Sequence, residues 1–137
     1  MQLHRSTFPY EQPSLSEKQR KQQTEMIMRL FEHWQLTNRE CAILLGLSPK
    51  TGTSINKYET GKSSLPKYRD IQDRVNHLLA IHRYLRRAYP YNDELAYRWI
   101  KTPNADFQHH SPFEVIANEG FSGLLRIRNY LASNQEY

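Results

Sequence analysis

Cysteine is almost missing from this chain: Cys41 stands alone in 137 residues. No intrachain disulfide can form, which excludes a stapled secreted scaffold and makes a reducing cytosol the natural compartment. Long apolar runs are missing too. Nothing approaches the roughly 20 residues a spanning helix needs, and Met1 to Tyr10 lacks the apolar block of a signal peptide. A cytoplasmic protein without membrane contact is expected. The chain also lacks a Walker loop, a dinucleotide glycine fingerprint, a metalloprotease helix and Cys/His zinc spacing. His109 and His110 are adjacent, so their side chains diverge, and no carboxylate or third histidine stands at ligand spacing. No catalytic set, cofactor or metal is therefore expected. At this length one or two small domains fit, but not a large enzyme cleft.

What is present is unevenly distributed charge. The formal net charge is +5. Residues 50 to 87 hold nine Lys and Arg against three Asp and Glu, whereas residues 88 to 137 hold four against six. A +6 middle beside a −2 end suits one part that meets phosphates and another that meets a different partner.

The stretch Leu36 to Gly61 concentrates the local signals. Thr37 followed by Glu40 is a capping box, predicting a helix over Asn38 to Leu45 with Cys41, Ala42 and Leu45 on one face. Gly46 supplies the permissive conformation that ends it. A second helix starts at Ser48 with Pro49 in the first helical position, or alternatively at Thr51, and runs to about Glu59 before Gly61. Ile55 and Tyr58 point inward. Left outside are Lys50, Thr51, Thr53, Ser54, Asn56 and Lys57, whose hydroxyls, amide and ammonium groups suit base edges and phosphates. The order Ala42, Gly46, Ile55, Tyr58, Glu59, Gly61, Lys62 resembles the Xre-type (phage-repressor-like) helix-turn-helix. That resemblance implies DNA binding and adds Lys62 to the candidate contacts. One copy offers a small reading surface, so a homodimer on two-fold-related operator DNA is expected.

Around this pair the periodicity predicts an all-α chain. Residues 1–14 read as an N-terminal arm without a period. Residues 15–65 form the helix-turn-helix domain, opened by a helix from about Ser16 to Trp34 with Met26, Ile27, Leu30, Phe31 and Trp34 as its apolar stripe. Residues 66–89 form a linking helix whose Tyr68, Ile71, Val75, Leu78, His82, Leu85 and Tyr89 recur at steps of three and four. His82 in that seam is expected to be buried and hydrogen-bonded. Pro90 ends the helix, and residues 90–137 form a small helical bundle: Asn92 caps a helix carrying Leu95, Ala96, Trp99 and Ile100, and Ser111-Pro112 opens another that ends near Gly120. A last helix spans about Ser122 to Ala132.

Arg98, Trp99, Ile100, Thr102, Pro103, Asn104, Phe107, Ser111, Pro112, Phe113, Ile116, Glu119 and Gly120 closely resemble the toxin-binding domain of the Xre/MbcA/ParS antitoxin family. His109 stands where that family commonly has Gly. The resemblance implies a non-enzymatic antitoxin of a type II toxin-antitoxin pair, which silences a RES-domain toxin that consumes NAD and represses its own operon. Under it, Arg126, Arg128 and Tyr130 of the last helix and Tyr137 of the tail are the candidate toxin contacts. The competing readings are a stand-alone transcriptional regulator whose C-terminal bundle dimerises or senses a ligand, and an adaptor that binds no DNA.

Overall fold

The computed structural model describes residues 15–48 and 52–135. The arm expected over residues 1–14 lies outside them. Among the described residues the chain forms seven α-helices and no strand: α1 Glu17–His33, α2 Asn38–Leu45, α3 Gly52–Glu59, α4 Arg69–Ala88, α5 Asp93–Arg98, α6 Pro112–Glu119 and α7 Phe121–Ser133. Two single 3-10 turns, Trp99–Lys101 and Ala105–Phe107, separate α5 from α6.

Three helices begin for the same local reason. Ser16, Thr37 and Ser111 each accept the amide three residues on, while Gln19, Glu40 and Glu114 reach back to the capping residue's own amide at 2.8 to 2.9 Å. Two otherwise orphaned donors are satisfied at each start, and loss of such a cap costs about 1 kcal/mol. Gly46 ends α2 in the left-handed region at φ +74°. Of the two possible starts for α3 the later one applies: Gly52 is its first residue. Glycine there escapes most of the roughly 1 kcal/mol it would cost in a helix interior.

A continuous cluster of buried side chains runs from Ile27 to Leu131. Within it, Phe31, Trp34, Leu44, Leu45 and Ile55 lock the first three helices together. The connection after α3 is fastened to α1 by Thr24, which is buried. Its hydroxyl donates to the Arg20 carbonyl at 2.7 Å and accepts the Leu65 amide at 2.9 Å. Leu65 is thereby held fully inside.

The central element is α4. It buries Ile71, Val75, Leu78, Ala80, Ile81 and Leu85 and packs on α7, α5, α2 and α1. The predicted seam thus begins at Ile71, not at Tyr68, which is 72% exposed because it precedes the helix in extended backbone. His82 also departs from expectation: it is half-buried and its Nδ1 has no hydrogen-bond partner among the described residues. Met26 and Leu95, both placed on apolar stripes by periodicity, are 53% and 40% exposed. Met28 takes the buried place on α1 instead.

α6 and α7 pack tightly on each other. Gly123 on α7 is buried where a Cβ would lie 2.5 Å from the Val115 carbonyl oxygen and 3.1 Å from the Ile116 Cα. Only a residue without a side chain lets the two backbones come this close.

Candidate functional site

Two surfaces carry the residues singled out from sequence. The first belongs to α3. Ile55 is fully buried against the preceding helices and Tyr58 is half-buried. Asn56 and Lys57 are exposed there, with Lys62 just beyond the helix end. Glu59 is exposed as well, which ends the carboxylate-free surface at Lys57. Lys50 and Thr51 lie outside the described residues; Thr53 and Ser54 belong to α3 by backbone, but their side chains lie outside the description.

Asn56 is oriented by a neighbour. The Asn38 amide at the start of α2 donates to the Asn56 Oδ1 at 2.9 Å. With its carbonyl engaged, the exposed Asn56 side chain keeps its NH2 group as a donor. A donor of that kind matches guanine N7 and O6, thymine O4 or a phosphate oxygen.

The second surface lies on α7 and the loop before α6. Asn104 organises that loop: its side chain accepts the Asp106 amide at 2.9 Å and its carbonyl accepts the amides of Phe107 and His109, both at 2.9 Å. Gln108 and His109 consequently sit at φ +58° and +67°. His109, where the resemblance led to Gly as the expected residue, therefore falls on left-handed backbone, where glycine is cheapest.

Phe107, buried beneath the loop, meets Tyr130 edge-on at 4.8 Å, and Trp99 stacks on the Tyr130 ring at 6.2 Å. The Tyr130 hydroxyl donates to Asp106 at 2.5 Å, and this bond to a carboxylate raises the phenol's pKa. Arg126 lies over the Phe107 ring at 5.5 Å and pairs with Glu119 at 2.7 Å. Arg126 and Tyr130 are thus brought together around Phe107. Arg128 is half-buried and turned toward α4, its Nη1 2.7 Å from His77 Nδ1. Burial, then the Arg128 charge, lowers the His77 pKa, so the neutral ring accepts the guanidinium's hydrogen bond. Tyr137 lies outside the described residues.

Sequence reasoning missed a residue that ties the 3-10 turn after α5 to the start of α2. Lys101 donates to Glu40 of the α2 capping box at 2.8 Å and to the Gln35 carbonyl at 3.1 Å. Burial acts to raise the Glu40 pKa, but the hydrogen bonds from Lys101 and the Thr37 amide outweigh it and hold the carboxyl below its usual range. Glu40 was legible as a cap, but nothing local to Lys101 points to a partner 61 residues away. Asp106 and His77, the partners of Tyr130 and Arg128, were missed for the same reason.

No three His, Cys, Asp or Glu side chains gather as metal ligands among the described residues, and no helix there is long and apolar enough to cross a membrane. The described residues form a helical fold that carries a short-helix pair, α2 and α3, and an aromatic cluster around Phe107. Residues 85–134 match the model of the antitoxin Xre/MbcA/ParS C-terminal toxin-binding domain, which takes in the end of α4 and everything through α7. That match defines the class, a non-enzymatic antitoxin whose C-terminal part binds a toxin. The chain is also 30% identical over 107 residues to the uncharacterized protein y4oB of Sinorhizobium fredii, covering 78% of this chain and 79% of that protein. This chain belongs to the Xre/MbcA/ParS antitoxin family.

Proposed function

We propose that this antitoxin acts in the cytoplasm of its cell, where it neutralises a RES-type toxin that consumes NAD, and that as a homodimer it represses its own operon by binding operator DNA. The division of labour follows the notional modules 15–65 for DNA, 66–89 as the link and 90–137 for the toxin. Toxin contact falls to Arg126, Tyr130 and the tail with Tyr137, with Arg128 holding α7 in place against α4. DNA contact falls to α3 and its flanks: Lys50, Thr51, Thr53, Ser54, Asn56, Lys57 and Lys62.

The observation that carries the DNA half is the two-sidedness of α3. Its apolar Ile55 is sealed inside while Asn56 and Lys57 stand in solvent on a segment with a net positive charge. Cations of the middle segment give salt-sensitive affinity that any DNA shares, and a base contact adds about 1 to 3 kcal/mol of discrimination. Asn56→Ala should therefore weaken binding to the operator far more than to random duplex in a mobility-shift titration. Equal losses on both would refute direct readout by this helix. For the toxin half, co-expression with the product of the adjacent reading frame should yield a stable complex and rescue growth. An antitoxin that never captures that product would favour a stand-alone regulator.

A further inference from the structure

A half-open groove of about 350 Å³ lies between α1, α4 and α5, apart from both surfaces described above. Met26, Leu30 and Leu79 give it an apolar floor. One wall is a set of near-parallel rings: Tyr97 stacks on His33 at 4.4 Å and 8°, and on His82 at 5.9 Å and 6°. Arg29 and Arg83 complete the lining, which contains no carboxylate.

These two arginines differ from most others in the chain. Arg69, Arg74, Arg86, Arg98 and Arg126 each face an Asp or Glu. Arg29 and Arg83 have no ion pair or hydrogen bond among the described residues. A positive field reaches His82: after burial, the charges of Arg86, His33 and Arg83 disfavour its protonation, and of these Arg83 and His33 belong to the groove. Unpaired guanidinium groups beside flat rings and aliphatic side chains form a receptor for a ligand that is both planar and anionic, since the fork matches carboxylate or phosphate and the rings match a π face. The volume is at the small end of the roughly 300 to 1,000 Å³ typical of sites for small organic molecules.

We infer that the groove between α1, α4 and α5 binds a small planar organic anion, an aromatic ring bearing a carboxylate or a phosphate. The ring lies along Met26, Leu30 and Tyr97 and the charge is taken by Arg29 and Arg83. Such a ligand touches α1 of the N-terminal helices and Tyr97 of the matched toxin-binding stretch at once. The inference requires neither the DNA nor the toxin role proposed above, and it stands or falls on a separate measurement.

The test is calorimetric titration of the full-length protein with four probes: benzoate and AMP, which combine ring and anion, and benzyl alcohol and inorganic phosphate, which offer one each. Benzoate or AMP should bind one to one, about tenfold or more tighter than either single-feature probe, and which of the two wins tells a carboxylate from a phosphate source. Arg29→Gln and Arg83→Gln should each weaken that binding by about tenfold, the size expected for a hydrogen bond to a charged group. Arg39→Gln, on α2 outside the groove, should leave it unchanged. Failure of both combined probes to saturate would overturn the inference, as would phosphate binding as tightly as AMP and benzoate. A change in the oligomeric mass of the ligand-free protein on Arg29→Glu or Arg83→Glu would show that a second copy covers the groove, and would also overturn it.

Discussion

Gly46 offers the sharpest test of how the short helices are held. Any side chain there meets two separate obstacles. The first is backbone: at φ +74° an L-residue pays roughly 1 to 2 kcal/mol. The second is Arg74 of α4, whose Nε, Cζ and Cδ lie 2.5, 2.8 and 3.0 Å from where the Cβ would stand. A guanidinium can swing aside, but in doing so it leaves the Phe121 ring, 5.8 Å away, and the Asp70 carboxylate at 3.5 Å. The cation–π contact is worth about 0.5 to 1 kcal/mol. Asp70 is largely exposed, so its pair adds only a few tenths. Gly46→Ala should therefore cost about 2 to 3 kcal/mol in urea unfolding at pH 7. Gly61 supplies the control: it sits at φ +79° with nothing within 4 Å of the added Cβ, so Gly61→Ala should cost only the backbone part, about 1 to 2 kcal/mol. The decisive measurement is a double-mutant cycle, because in an Arg74→Ala background the Gly46→Ala penalty should fall to the Gly61 level. An unchanged penalty with and without Arg74 would refute the claim that this side chain sets the close fit of α2 on α4.

Three further outcomes follow from the geometry. Gly123→Ala should destabilise by about 1 to 3 kcal/mol, as overpacking does, with loss of toxin capture in a pull-down if the α6–α7 pair must stay tight; an unchanged unfolding midpoint would contradict the close crossing. His109→Gly should stabilise by roughly 0.5 to 1 kcal/mol by relieving left-handed backbone, read from the same urea midpoints. Stability should decline on acidification. His77 and His82 both have lowered pKa values in the folded state, so the unfolded chain binds protons first. Their contribution is intact above the unfolded histidine value near 6.5 and is lost as pH falls through the folded values. Unfolding midpoints at pH 8, 7, 6 and 5 check this, and the His77→Gln, His82→Gln double variant should flatten the profile between pH 7 and 5.5.

Helix starts were readable from the chain because a cap is a local device. Ser16, Thr37 and Ser111 each find their partner three residues on, and no knowledge of the rest of the fold is needed. The end of α2 was equally plain, since Gly46 supplies the conformation that a helix terminus requires. Periodicity was a poorer guide where a neighbour decides burial: Met26 fits the stripe of α1 but lines the groove beside α4, and Leu95 fits that of α5 but is only partly covered. Tyr68 has the right spacing for the α4 seam yet precedes the first helical turn. The candidate surfaces divided in the same way. Exposure of Asn56 and Lys57 followed from Ile55 pointing inward, whereas the Lys101–Glu40 and Arg128–His77 contacts join residues 61 and 51 positions apart, and pairing at that range is set by tertiary packing alone.

The lone sulfhydryl has a practical consequence. Cys41 is 1% exposed at the heart of α2, and burial first, then the Glu59 and Glu40 charges, push its thiol up to about 12. Folded protein should resist alkylating reagents, because they consume thiolate. Every modification event then marks a moment when α2 has come away from its neighbours, and with one thiol in the whole chain the mass increment needs no mapping. Reaction rates measured with and without added DNA or a co-purified partner would therefore time the breathing of the short-helix pair directly, using a clock already built into the chain.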